Sequence, residues 1–254
     1  MKTVISLQRS TNRLSVAAPL YTQIAESLLD QIESGKLVPG QRLAPERELS
    51  QTLGVNRVTL RQALQLLEAQ GLLIRRQGHG TYIAEPKIER QAGKLFSFTR
   101  GMERRGYKPG AQVIVFNERP VEASIAVHLK LPVSAPVYEV HRLRTVNEEP
   151  VLLEQFTIPV HRFPNLDKHD LANRSMFEVM EKEYGVVVSQ ARQSLEPVVA
   201  TEYEAGLFGI TMGAPLMLER RLSFDKDSLP VEYGKDLYRG DRFRFVTDIA
   251  SLEL

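Results

Sequence analysis

The chain has 254 residues, 43% hydrophobic and 25% charged, with a net charge of +2 and no cysteine. That length holds one large core or two modest ones, and the lack of cysteine excludes disulfide frameworks, thiolate zinc sites and cysteine nucleophiles. No apolar run approaches membrane-spanning length, and Lys2, Gln8, Arg9, Asn12 and Arg13 break up the start of the chain, so a cytoplasmic protein with no membrane partner is expected.

Leu20, Ile24, Leu28 and Ile32 recur every four residues with Ala25 and Leu29 beside them, which predicts an amphipathic helix from Leu20 to about Glu33, ended by Gly35. Pro39-Gly40 is a turn, and Pro45 suits the first turn of a second helix, Glu46 to about Leu53, closed by Gly54. Asn56 is placed as N-cap of a third helix that runs to about Gln70 and stops at Gly71. At about 100° per residue, Leu60, Ala63, Leu64 and Leu67 share one face, and Arg57, Arg61, Gln62 and Gln65 share the other. Residues 72–76 and 81–83 flank Gln77-Gly78-His79-Gly80, a tight hairpin with glycines where positive φ is expected.

For an isolated helix, a charged face is usually just solvated. Here the order helix, turn, helix, basic hairpin points to a winged DNA reader, with Arg57 and Arg61 at the helix end that enters the major groove. Arg75, Arg76 and His79 of the hairpin are placed near phosphates or the minor groove. Charge supports this reading: residues 1–84 carry 10 Lys and Arg against 6 Asp and Glu, a balance of +4, while the remainder carries 23 against 25.

These residues resemble the GntR family of bacterial transcription regulators. The matching motifs are Pro39-Gly40, Leu43-Ala44-Pro45-Glu46-Arg47-Glu48-Leu49, the run from Val55 to Leu64, Gly71-Leu72 and Gly78-His79-Gly80-Thr81. The resemblance implies that Arg47, Arg57 and Arg61 contact DNA, with Asn56, Thr59, Gly78 and His79 beside them. Ala44-Pro45 stands where the family has Pro-Ser, so the second helix lacks its usual serine cap, a local loss of about 1 kcal/mol.

From Lys94 onward the pattern changes to strands separated by polar turns. Strands are predicted over 112–116, 137–145, 151–158, 186–195, 216–224, 229–238 and 243–247, with helices near 97–104, 175–184 and 201–208. Sequential strands of this kind predict an antiparallel α+β domain. The segments Arg142 to Val151 and Arg220 to Val231 are similar enough to suggest two related hairpins. Tyr138, Val140, Arg142 and Arg144 share one strand face, which puts two arginines about 7 Å apart on an apolar stripe. Glu154 lies among Leu152, Phe156 and Ile158 on the next strand and needs a donor. A salt bridge to either arginine satisfies it; two arginines exceed that need, which favours an anionic ligand. Ser175 and Glu178 have capping-box spacing, Thr201 and Glu204 repeat it, and Ser97 and Thr99 sit at another helix start.

This second part resembles the UTRA effector domain of the HutC branch, which shares its fold with chorismate lyase. The resemblance implies that Phe96, Ser97, Phe98, Thr99, Arg142, Arg144 and Ser175 hold a phosphate, sulfate or carboxylate. It also implies that Glu154, Glu232 and Tyr238 line the polar part of the pocket. Relatives often carry tyrosine where Phe177 stands, so one anion contact is missing. The expected architecture is α+β: a winged helix-turn-helix at 1–84, a linker at 85–93, and an antiparallel-sheet, chorismate-lyase-like UTRA domain at 94–254 that binds effector and dimerises.

The expected function is a homodimeric repressor that binds a pseudo-palindromic double-stranded operator and is released by a small anionic metabolite, a phosphosugar or amino-sugar phosphate being favoured. No cofactor or metal is expected. An effector-independent architectural DNA binder is the alternative. A lyase-fold enzyme is disfavoured, because no nucleophile motif or phosphate loop is present and histidines 79, 128, 141, 161 and 169 are scattered.

Overall fold

The structure, a computed structural model, describes residues 18–76, 78–94 and 97–249. It divides into two compact units, Met1–Pro86 and Lys87–Leu254.

The first unit packs three helices, α1 (Leu20–Glu33), α2 (Glu46–Leu53) and α3 (Arg57–Ala69), with a hairpin of β1 (Leu73–Arg76) and β2 (Gly80–Ile83). The expected faces form. Leu60, Ala63, Leu64 and Leu67 of α3 are buried against Ile24 and Leu28 of α1 and Leu49 of α2, while Arg57, Arg61, Gln62 and Gln65 are exposed. Leu20, expected in the apolar stripe, is 48% exposed at the start of α1. Pro45 precedes α2 without any side-chain cap, and Gly54 closes that helix at φ 64°, a left-handed conformation that glycine adopts cheaply. The Asn56 carboxamide oxygen accepts the Thr59 backbone N–H at 2.8 Å, so the start of α3 is capped as the sequence predicts.

The second unit is built on a six-stranded antiparallel sheet. Its strands are β4 (Pro109–Pro120), β5 (Pro136–Val146), β6 (Glu149–Pro159), β7 (Val188–Val199), β8 (Pro215–Asp225) and β9 (Pro230–Arg239), in the spatial order β4-β5-β6-β9-β8-β7. Helices α4 (Phe98–Glu103), α5 (Ala123–Leu129), α6 (Met176–Tyr184) and α7 (Glu202–Phe208) complete it, with short 3-10 helices Val160–Arg162 and Leu166–Lys168 before α6. The two related hairpins expected from sequence are β5-β6 and β8-β9, and they meet edge to edge at β6 and β9. Each half repeats strand, helix, strand, strand, and β5 and β8 each begin at an Ala-Pro step.

Three expectations need correction. The stretch 85–93, read as a linker, contains a strand, β3 (Ile88–Gln91), which pairs in parallel with β10 (Phe243–Val246), so the sheet content of this unit is not purely antiparallel. Ile88 and Phe243 are both buried, which gives the pairing its own apolar anchor. Helix α5 was not foreseen, because its β-branched Ile125 and Val127 mask a helix that buries Ile125, Ala126 and Leu129. Ser175 precedes α6 but makes no capping bond, and Glu178 pairs with Lys182 instead. Thr201 and Glu204 do form a reciprocal capping box at α7. Thr201→Ala is therefore expected to cost about 1 kcal/mol and Ser175→Ala distinctly less; thermal unfolding of the two variants beside wild type checks the difference.

Candidate functional site

On the first unit, three exposed arginines converge on a single carboxylate. Glu46, in the first turn of α2, accepts the Arg61 Nε at 2.7 Å and the Arg75 Nη2 at 3.3 Å, and lies 3.9 Å from the Arg57 Nη2. Arginines of α3 and of the hairpin are thus brought to one place. Arg47 is exposed on α2, and Thr59 is half-buried behind the α3 start. Gly78 and His79 form the exposed hairpin tip, with Gly78 at φ 75°, and the His79 carbonyl accepts the Tyr82 hydroxyl at 3.2 Å. Arg42 was missed by sequence reasoning: it bridges to Tyr82, and its guanidinium lies where a Cβ on Gly80 would come within 2.9 Å. Gly80, at φ 104°, therefore both turns the hairpin and makes room for a further basic group beside it.

In the second unit, one face of the sheet carries a buried charged network. Arg142 on β5 sits opposite Glu154 on β6, and its Nη2 lies 2.7 Å from the carboxylate. The Arg142 Nη1 donates to the carbonyls of Leu171 and Arg174, both at 3.0 Å, which fixes the chain just ahead of α6. Arg144 reaches the same carboxylate at 3.5 Å, donates to the Thr99 hydroxyl at 2.9 Å and to the Gly110 carbonyl at 3.1 Å, and lies 4.5 Å over the Phe98 ring. The Ser97 and Ser175 hydroxyls stand 3.5 Å apart at the starts of α4 and α6. Phe96 falls outside the described residues.

The other half of the sheet mirrors this arrangement with a difference. Arg221 on β8 stands six residues after the strand's first proline, as Arg142 does on β5, but faces Gly234 where Arg142 faces Glu154. A Cβ on Gly234 would come within 2.8 Å of the Arg221 Nη2, so glycine lets the guanidinium fold over the strand. Arg221 then donates to Asp236 at 2.7 Å and to Glu232 at 2.9 Å. Glu219 takes Arg90 of β3 at 2.7 Å, and Arg90 also donates to the Tyr238 hydroxyl at 3.1 Å.

Arg142, Arg144, Glu154, Asp236, Ser175 and Phe177 line a small enclosed cavity, with Ser97, Phe98, Arg221 and Tyr238 around them. Its free space is about 20 Å³, room for roughly one water. Phe177 and Arg221 also border a larger cleft of about 510 Å³, where Lys94, Gln190 and Gln193 contribute polar groups. Of the sequence-predicted effector residues, Thr99 touches Arg144 but does not line the cavity, and neither does Glu232. It is fully buried behind Arg221 and accepts the Ser223 hydroxyl at 2.5 Å. Arg221, Asp236, Glu219 and Arg90 were missed. Three of them were signalled by polar residues at alternate positions, Glu219-Arg221-Ser223 on β8 and Glu232-Gly234-Asp236 on β9.

Electrostatics separate the carboxyls. Burial works to raise Glu154, but Arg142 and Arg144 outweigh it and hold it below the usual carboxylate range. Asp236 is pushed up to about 7 by burial: Arg221 opposes the rise, while Glu219 and Glu154 on the flanking strands add to it. Burial lowers Arg144 and, with Glu219, raises Tyr238 well above its ordinary value. Among the described residues, Asp236 Oδ1 and Arg142 Nε are buried without a hydrogen-bond partner.

The shift of Asp236 has a defined sign. Its folded value lies above the unfolded one, so between about pH 4 and pH 7 the folded chain holds a proton that the unfolded chain has released. Stability from this group is complete below that window and is lost as pH rises through it. Relative to Asp236→Asn, which does not titrate, the wild-type unfolding midpoint is expected to fall between pH 5 and pH 8, as parallel melts across that range will show.

Residues 20–83 match the family model for bacterial regulatory proteins of the gntR family, and residues 104–244 match the UTRA domain. A helix-turn-helix head followed by a UTRA sheet domain defines a DNA-binding transcription regulator and not an enzyme. The HTH-type transcriptional repressor NagR of Bacillus subtilis is 36% identical over 228 residues, covering 90% of this chain and 93% of NagR. The mannosyl-D-glycerate transport/metabolism system repressor MngR of Escherichia coli is 30% identical over 89% of this chain and 94% of its own. The crystal structure of PhnF from Mycobacterium smegmatis superposes with a TM-score of 0.65 at 28% identity, covering 90% of this chain and all of that one. The chain belongs to the GntR family, in its HutC-type group with a UTRA domain. Among the described residues, no helix is long and apolar enough to cross a membrane, and no cluster of three or more His, Asp and Glu is poised for a metal.

Proposed function

We propose that this regulator is a cytoplasmic homodimeric repressor, released from a pseudo-palindromic operator by a small anionic metabolite bound in the second unit. One observation carries the effector part: the uncapped start of α6, with Ser175 beside it, opens on the same buried cavity as Ser97, Arg142 and Arg144. Uncapped N–H groups of a helix start, hydroxyls and guanidiniums form a donor set for phosphate or carboxylate oxygens. Relatives named for mannosyl-D-glycerate and fructoselysine systems support a sugar-derived ligand, with a phosphosugar or amino-sugar phosphate favoured. The cavity has room for only about one water, so an anionic group must widen it toward the larger cleft that Phe177 also borders.

Release follows from linkage: the effector must bind the arrangement that does not fit the operator more tightly than the one that does. Arg90 supplies a route, since it lies on the strand that follows the first unit in sequence and bonds both Glu219 and the cavity residue Tyr238. A second reading, DNA binding without any effector, is favoured by the Arg142–Glu154 ion pair, which already neutralises one arginine. The unpartnered Asp236 Oδ1 and Arg142 Nε, both polar atoms that a ligand or water would satisfy, weigh against it.

Arg57→Ala is expected to abolish specific operator binding in mobility-shift titrations. Ser97→Ala combined with Ser175→Ala should leave operator binding intact and raise the effector concentration needed for release by about ten-fold, the worth of one or two lost hydrogen bonds. The effector is first found by thermal shift across sugar phosphates, phosphonates and carboxylates. Release of the double variant at the wild-type concentration overturns the cavity assignment; a panel in which no anion shifts the melt favours the effector-independent reading. Because the network carries four arginines (90, 142, 144, 221) against four carboxylates (154, 219, 232, 236), an added anion is compensated by proton uptake at Asp236. Effector affinity should therefore rise from pH 8 to pH 6, and Asp236→Asn should flatten that dependence, both measurable by calorimetry.

A further inference from the structure

Glu46 belongs to neither face that the sequence marks for DNA, yet three arginines from two elements turn to it: Arg57 and Arg61 from α3 and Arg75 from β1. Three cations this close repel one another, and without a shared anion their side chains would splay apart. The bond to Arg61 uses Nε at 2.7 Å. That choice leaves the Nη1–Nη2 edge of the fork, the edge that grips guanine O6 and N7, pointing away from the carboxylate. Arg75 is tied to the other oxygen of the same carboxylate, which couples the hairpin to the helix. Pro45 offers α2 no side-chain cap, and the first-turn position of Glu46 is favoured by the helix dipole, so the carboxylate has a stable seat.

We infer that Glu46 is a positioning residue for sequence discrimination: it aligns the Arg61 fork for a base edge, docks Arg75 and the hairpin to α3, and subtracts one charge from the attraction to phosphates. The inference rests on the reading that α3 enters the DNA groove. Phosphate attraction is indifferent to sequence, whereas a bidentate base contact is not. A carboxylate that weakens the first and orients the second raises the ratio between specific and non-specific binding.

The test uses the full chain and two duplexes: the sequence enriched by the wild-type protein from a randomised pool, and a random duplex of equal length. With Glu46→Gln, which keeps the shape and loses the charge, binding to the random duplex should tighten roughly five-fold at 0.15 M salt and the slope of log K against log salt should steepen by about one. Discrimination between the two duplexes should fall about ten-fold or more, concentrated at the guanine whose replacement also removes the effect of Arg61→Lys. Glu46→Asp, which restores the charge on a shorter arm, should return the salt slope to the wild-type value without restoring discrimination. Unchanged discrimination in Glu46→Gln overturns the inference, as does an equal loss on both duplexes with an unchanged slope, the signature of a merely structural role. Arg57→Ala and Arg61→Ala are measured alongside. If they leave specific binding intact, the groove reading itself fails; if they abolish it while Glu46→Gln does nothing, only the role of Glu46 falls.

Discussion

The second unit depends on one constraint: charges taken out of water on the sheet face must find opposite charges within the same layer. Isolated buried ions cost several kcal/mol each, and removing one partner of a buried pair is more damaging than never having built it. The sheet answers with arginines from adjacent positions that reach into a row of carboxylates. Arg142 faces Glu154, Glu154 faces Asp236, and Asp236 faces Glu219, so one row runs from a cation through three carboxylates that Arg144, Arg221 and Arg90 approach from neighbouring positions. Within this row Asp236 is the weak member. Arg221 is shared among three carboxylates, and a proton makes up what the arginine cannot give.

The pseudo-repeat explains why the cavity is lopsided. Both halves place an arginine six residues into their second strand, but only the first half keeps a carboxylate directly across from it. The second half has Gly234 there, and its arginine reaches further along β9 to Glu232 and Asp236. Helix α6, inserted between the halves in sequence, covers the first half, where Phe177 packs on Phe156 and lies 5.5 Å from the Arg221 guanidinium. The first half with α4 and α6 therefore supplies most of the cavity's donors, and the second half contributes Arg221, Asp236 and Tyr238.

Much of this was legible in the chain. The three helices of the first unit were marked by apolar spacing and by Gly54 and Asn56, whose roles are local and so survive folding unchanged. That Arg142, Arg144 and Glu154 can meet followed from strand parity, since alternation decides which side chains share a face; the ion pair that forms was the alternative weighed against a bound anion. Parity alone does not say which strands are neighbours. That is why Asp236 and Arg221 stayed hidden: they reach the cavity only because β9 lies beside β6, a non-sequential contact. Glu232, implied by the family resemblance and not by parity, is turned behind Arg221 and away from the cavity. Ser175 shows the opposite limit. Its spacing to Glu178 is that of a cap, yet the hydroxyl turns toward Ser97, because local motifs state what a side chain can do and tertiary neighbours decide what it does. Convergence of three arginines on Glu46 likewise depends on how α2, α3 and β1 pack.

The parallel pairing of β3 with β10 places the first strand of the second unit alongside its last. The stretch read as a linker is thereby held by residues more than 150 positions later in the chain, with Ile88 opposite Phe243 and Arg90 opposite Phe245. A chain still emerging from the ribosome would complete the winged head long before the segment that grips its tether is made. Until then Arg90 would be drawn toward the buried network without the strand that sets its register. Correct seating of this stretch therefore waits on residues 243–246, whereas the helix-turn-helix head is complete once residue 83 has been made.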